Sequence, residues 1–193
     1  MTSKEQTLQA IKDTAYTLFA QFGIDKTSFA MIAKEIGVSK PALYYYFDSK
    51  EALVTAIFDE LYVAIEKDLT IDLRSVTTAN YVTSLIAFGD KQIDDQLQNP
   101  LFNRVFNEYL LLAARDVRYH ERLQAIQRIY LHTFQQYVDT GVTLKQMSAE
   151  NATHKATILA MVLDNISNYI LTGYELDYKK IWAVTVQQIL CSE

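Results

Sequence analysis

A chain of 193 residues that is half hydrophobic and 21% charged, with only five glycines and two prolines, has material for a sizeable core. It has too few breakers for a β-sandwich and favours long helices. The net charge of −5 argues at first against a nucleic-acid partner, but the first fifty residues carry six lysines against five acids (+1), while the remainder carries twelve bases against eighteen acids (−6). No apolar run is long enough to span a bilayer, the opening Met1-Thr2-Ser3-Lys4-Glu5 lacks the basic-then-apolar layout of a signal peptide, and the lone Cys191 cannot form an internal disulfide; a cytoplasmic location is expected, with no membrane partner, no metal and no cofactor.

The first helix is predicted over residues 3–22, where Leu8, Ile11, Ala15, Leu18, Phe19 and Phe22 recur at steps of three and four. Ser3 and Gln6 have capping-box spacing, and Gly23 ends the helix. Thr27 or Ser28 caps a second helix over 29–36, Gly37 closes it, and Ser39 caps a short third helix from Lys40 to about Tyr46. A fourth runs over about 50–69. Five longer helices follow at roughly 76–97, 101–115, 118–139, 149–172 and 178–191, with Asn99-Pro100, Gly141 and Gly173 as expected breaks.

The informative stretch is Ser28 to Phe47. Two short helices separated by Gly37-Val38-Ser39 form a helix-turn-helix if they cross closely. Ala33 permits that crossing, Gly37 suits the reversal, and Ile32, Ile36, Val38 and Leu43 supply the wedge. With Leu43 and Phe47 inward, Lys40, Pro41, Ala42, Tyr44 and Tyr45 are left outside. DNA recognition needs phosphate contacts that position and base-edge contacts that specify. Ser39, Tyr44 and Tyr45 are candidates for phosphates, Lys40 for guanine acceptors and the Ala42 methyl for a thymine methyl. Thr27 and Ser28 at the second helix, and Lys50 opening the fourth, are expected to take further phosphates.

The run from Thr27 to Leu53, with Ile32-Ala33, Gly37-Val38-Ser39, Leu43-Tyr44, Tyr46-Phe47 and Ser49-Lys50-Glu51-Ala52-Leu53 in register, resembles the signature of the tetracycline-repressor (TetR) family, over about residues 5–58. One departure is Pro41-Ala42, where the family often has glycine and then threonine or serine. Proline suits a first helical turn, but Ala42 offers no hydroxyl. The resemblance implies an all-α protein: an N-terminal three-helix helix-turn-helix DNA-binding domain (residues 1–48), followed by a helical ligand-binding and dimerisation domain (residues 49–193). It further implies a homodimer, most simply a repressor, that binds palindromic double-stranded operator DNA and is released by a small-molecule effector.

For the body, the expected dimer interface lies on the last two helices, at Ile158, Met161, Val162, Ile166, Trp182, Thr185 and Ile189, since the family commonly builds a four-helix bundle there. Candidate effector-binding residues are Phe88, Phe102, Phe106, Tyr109, Tyr130, Phe134, Asn165 and Tyr169, with Glu108 and His132 among further polar groups; such a lining suits an apolar or aromatic effector. Residue by residue, aromatic stripes are more often core than pocket. Nothing points to an enzyme. His120, His132 and His154 lack metal-ligand spacing, and neither a Gly-rich phosphate loop nor a Gly-x-Ser-x-Gly elbow occurs. The alternative reading is a helical protein-interaction module whose helix-turn-helix is structural.

Overall fold

The computed structural model describes residues 3–191, and Ser3 of the capping pair expected with Gln6 lies outside the described side chains. The fold is all-helical: α1 (Ser3–Phe22), α2 (Phe29–Glu35), α3 (Lys40–Tyr44), α4 (Lys50–Asp68), α5 (Tyr81–Gln98), α6 (Pro100–Ala113), α7 (Val117–Thr143), α8 (Ala152–Thr172) and α9 (Tyr178–Cys191), with a single 3-10 turn at Leu73–Ser75. No strand occurs among the described residues, and no described helix is long and apolar enough to cross a membrane.

Most helix limits agree with the apolar periodicity, and the departures have local causes. α5 starts at Tyr81 rather than 76, because Asn80 Oδ1 accepts from Thr77 N (2.6 Å) and Thr77 Oγ1 (3.1 Å) and ties the preceding residues into a turn. Gly141 does not break α7, which continues to Thr143. It sits where a Cβ would overlap the Tyr81 hydroxyl, so glycine serves close approach rather than a turn.

The chain divides into two compact units, Met1–Ala64 with Leu101–Leu123, and Ile65–Pro100 with Gln124–Glu193. These limits do not coincide with the expected functional division between residues 48 and 49. The first part of α4 stays with the three-helix head because Leu53, Val54, Ile57 and Phe58 are buried there. α6 contributes Val105 and Tyr109 to the same unit's interior; Tyr109 stacks on Phe58 at 4.3 Å between ring centroids. Ion pairs Lys12–Glu60, Glu51–Arg118 and Asp59–Arg122 join helices of the same unit.

The second unit is built around Trp182, Tyr81, Tyr137 and Phe134, all essentially inaccessible. The Trp182 indole donates to Leu85 O at 3.2 Å and lies over Gly89, where an added Cβ would overlap the ring. Tyr81 and Tyr137 stack at 5.1 Å, and Tyr137 also bonds the Ser84 hydroxyl (2.7 Å).

Candidate nucleic-acid interface

The helix-turn-helix follows from a few local choices. Ser28, in extended conformation, caps α2 by accepting from Met31 N (3.3 Å). At the other end Val38 N returns to Ala33 O (2.9 Å), and Gly37 takes the left-handed φ of +72° that this reversal requires. Ile32, Ala33, Leu43 and Phe47 are buried between the helices, and Phe29 meets Tyr44 edge-on at 5.1 Å. α3 starts at Lys40 with Pro41 in its first turn, after an extended Ser39 whose side chain makes no cap bond to the helix.

The outward side of α3 carries Ser39, Lys40, Pro41, Tyr44 and Tyr45, all exposed, with Tyr44 49% and Tyr45 70% accessible. Ala42, expected outside, is half-buried. The Lys40 ammonium lies 6.0 Å from the Tyr44 ring centroid, and Lys4 of α1 lies 5.0 Å from that of Tyr45. Lys4 is thus a basic neighbour of this face that sequence spacing did not single out, because it lies on α1, outside the motif.

Two expected phosphate ligands are placed otherwise. Thr27 is 1% exposed, and its hydroxyl is spent on Gly23 O (2.8 Å) and Leu18 O (3.3 Å), so it closes the α1–α2 corner. The Lys50 ammonium turns into that same corner, donating to Ile24 O (2.9 Å), Thr27 O (3.1 Å) and Asp25 O (3.3 Å). Glu108, considered as a polar group for an effector, instead accepts from Ile24 N at 2.8 Å.

The eight candidate effector residues divide between the two units. In the first, Phe102 and Phe106 stack at 5.8 Å, and Phe106 meets Tyr109, which is 1% exposed and donates to Tyr119 O (3.3 Å). In the second, Phe134 is wholly buried between Phe88 and Trp182, and Phe88 and Tyr130 are half-buried. Desolvation, and then the Asp164 carboxylate, push the Tyr130 phenol above its ordinary range. Asn165 and Tyr169 are exposed on α8.

The expected dimer residues also separate. Ile158 and Met161 are exposed at 48% and 64%, while Val162, Thr185 and Ile189 are half-buried. Ile166 and Trp182 belong to the core of their own unit, because Gly89 leaves room for the indole and the α8 register turns Ile166 inward with Leu159 and Leu163. In their place α9 exposes Ile181 and Val184, at 38% and 42%.

A helical chain with a helix-turn-helix whose outward side chains are polar, basic or aromatic belongs to the class of helix-turn-helix regulators. Residues 11–57 match the profile of the bacterial regulatory proteins of the tetR family. The chain is 29% identical over 185 residues to the uncharacterised HTH-type transcriptional regulator YuxN of Bacillus subtilis, covering 93% of this chain and 60% of that protein. It is 28% identical over 130 residues to the nucleoid occlusion factor SlmA of Haemophilus influenzae, covering 64% of this chain and 58% of SlmA. It therefore spans about six-tenths of these relatives. In fold it is similar to a TetR transcription regulator from Haloarcula marismortui, with a TM-score of 0.77, 17% identity and 97% of each chain covered. Residues 11–57 thus form a tetR-family DNA-binding domain, and the chain shares the fold of TetR regulators, a family of transcriptional regulators and not of enzymes.

Proposed function

We propose that this chain is a transcriptional repressor that binds a palindromic operator as a homodimer, reads it with α3, and is released by a small apolar or aromatic effector. The observation that carries the reading is the outward side of α3: Ser39, Lys40, Tyr44 and Tyr45 are exposed together while Leu43 and Phe47 anchor the helix. Two hydroxyl-bearing aromatics beside an ammonium suit a phosphate backbone, and the short α3 presents Lys40 where a groove-entering helix meets base edges. An interaction module with a vestigial motif has no need to keep residues 39–46 free of acids, as they are here.

Two half-sites about 34–36 Å apart require a two-fold partner. The exposed Ile158, Met161, Ile181 and Val184 on α8 and α9 are suited to an isologous contact. Support for an effector is the concentration of aromatic side chains around Phe88, Tyr130 and Phe134. To release DNA, that effector must favour the non-binding state; tight binding alone shifts nothing.

The test is selection of bound duplexes from a random pool at near-physiological salt, which is expected to enrich an inverted repeat. Tyr45→Ala is expected to weaken binding to all duplexes with a parallel salt dependence, since its hydroxyl is neutral and the side chain, 70% exposed, supports little of the fold. Lys40→Ala is expected to change the preferred sequence. Met161→Arg is expected to give folded monomers that no longer retain the repeat, as sedimentation and band shift would show. No enrichment from folded dimer would overturn the reading.

A further inference from the structure

We infer that Lys50 and Glu108 are positioning residues for DNA binding, a pair of opposite charges that clamp the backbone of the α1–α2 corner and so fix where α2 begins. The inference rests on the DNA-binding reading proposed above. The corner, Gly23 to Thr27, is held from two elements. From the start of α4, Lys50 Nζ reaches the carbonyls of Ile24, Asp25 and Thr27 at 2.9, 3.3 and 3.1 Å. An ammonium has three N–H donors, and these three carbonyls can take all of them. From α6, the Glu108 carboxylate accepts from Ile24 N at 2.8 Å. Ile24 thus has its carbonyl and its amide bonded to side chains of opposite charge. Charge-assisted bonds of this kind are about twice as strong as neutral ones.

The corner's other ties are neutral: the Thr27 hydroxyl bonds Gly23 O and Leu18 O, and Thr27 N bonds Ile24 O at 3.2 Å. Gly23 stands at φ +84°, and a Cβ there would come to 3.3 Å from Glu108 Oε2, so the glycine provides both the turn and the space for the carboxylate. Immediately after the corner Ser28 caps α2 and orients it. A shift in Ile24–Thr27 therefore moves α2, and α3 with it through the buried Ile32, Ala33 and Leu43. Glu108 also gives α6 a direct hold on the head: rotating α6 enough to withdraw the carboxylate leaves Ile24 N without its acceptor.

The clamp differs sharply from a phosphate contact in its salt dependence. A lysine that neutralises a phosphate releases counterions, and its loss makes the plot of log K against log salt shallower by about 0.9. A clamp lysine leaves that slope unchanged. For Glu108 the signs oppose: removing an acid from a DNA-binding protein tightens binding by electrostatics alone, whereas loss of the clamp weakens it.

The experiment uses the full chain, the duplex recovered by selection and a salt series, with Lys50→Met, Glu108→Ala and Glu108→Gln checked for helical content and oligomeric state. Lys50→Met is expected to bind roughly tenfold or more weakly at every salt concentration with a parallel slope, the loss typical of a charge-assisted hydrogen bond. Glu108→Ala is expected to weaken binding similarly, and Glu108→Gln, whose amide oxygen still accepts from Ile24 N, to restore most of it. Hydrogen exchange at Ile24 N–H is expected to be faster in Glu108→Ala than in the wild type or Glu108→Gln. A shallower slope in Lys50→Met would make Lys50 a phosphate ligand. Equal or tighter binding by Glu108→Ala would remove Glu108 from the positioning role, and should Lys50→Met fail to fold, this comparison decides by itself. A wild-type chain that selects no duplex would overturn the DNA-binding reading and the positioning role with it, and Ile24 exchange would then decide whether the clamp exists.

Discussion

The two compact units are held by different kinds of interaction. The unit that contains the helix-turn-helix has an apolar interior, but its segments are tied by charge: Lys50 and Glu108 on the α1–α2 corner, and the pairs Glu51–Arg118 and Asp59–Arg122 between α4 and the start of α7. The other unit interlocks aromatic rings with backbone, the Trp182 indole over Gly89 and the Tyr81 hydroxyl over Gly141. Directional polar ties have two discrete arrangements, made and broken, and can be exchanged at modest cost. A close-packed aromatic interior has one arrangement and resists any change of volume. The first unit thus relies more on bonds that can be exchanged, whereas the second, although Lys179 pairs with Asp94 between α9 and α5, is organised mainly on packed rings.

The largest effect that would break this contrast is at Trp182. With no accessible surface and an indole hydrogen bond to Leu85 O, Trp182→Ala is expected to cost about 3–5 kcal/mol in urea unfolding. A loss below about 1 kcal/mol would mean the second unit is not organised on the ring. Next come Gly89→Ala and Gly141→Ala. In an exposed helix this substitution gains up to about 1 kcal/mol. Here each methyl overlaps a buried ring, and a net loss of about 1–3 kcal/mol is expected. A gain at either position would show that the ring can step aside.

These positions also show what the sequence could reveal. The helix-turn-helix was legible because its signals are local: a capping serine, a glycine at the reversal and an apolar wedge within twenty residues, of which Ile32 and Leu43 are buried and Ile36 and Val38 half-buried in the structure. Gly141 looked like a break because its reason for being glycine is Tyr81, sixty residues earlier. Trp182 looked like an interface residue because an apolar helix face does not say which neighbour covers it; the notch at Gly89 decides that. Lys50 was visible as a cation at a helix start, but which way it turns depends on carbonyls of the α1–α2 corner. Glu108 carried no signal toward the head at all, since its partner is a backbone amide, and a backbone amide is the same at every residue.

A third expected effect is confined to alkaline solution. Burial raises the phenols of Tyr16 and Tyr109, both in the first unit, to about 12, and pushes Tyr81 in the second unit still further. The unfolded chain releases these protons near pH 10. The resulting stability is complete below about pH 10 and is lost as the pH rises toward the folded value, because there the unfolded state is the one that has ionised. Phenolate absorbance is expected to lag for these tyrosines and then rise together with loss of helical circular dichroism. A smooth titration of all thirteen tyrosines around pH 10, with helix retained, would contradict their burial.

The smallest effect is expected at Asp59, and it distinguishes the two kinds of polar tie within the first unit. Asp59 pairs with Arg122 across side chains that are 44% and 39% exposed, so water and salt compete for both. Such pairs contribute about 0–1 kcal/mol and are screened within roughly 10 Å at 0.1 M salt. Asp59→Asn is therefore expected to lower stability by less than about 1 kcal/mol in low salt and by nothing measurable near 1 M. The corner clamp joins a charge to neutral backbone groups in partly buried positions, so the exchange protection that Glu108 gives Ile24 is expected to persist at the same high salt. Loss of both on adding salt would place the clamp among ordinary surface charges, and persistence of both would mean that Asp59 holds the start of α7 more firmly than its exposure implies.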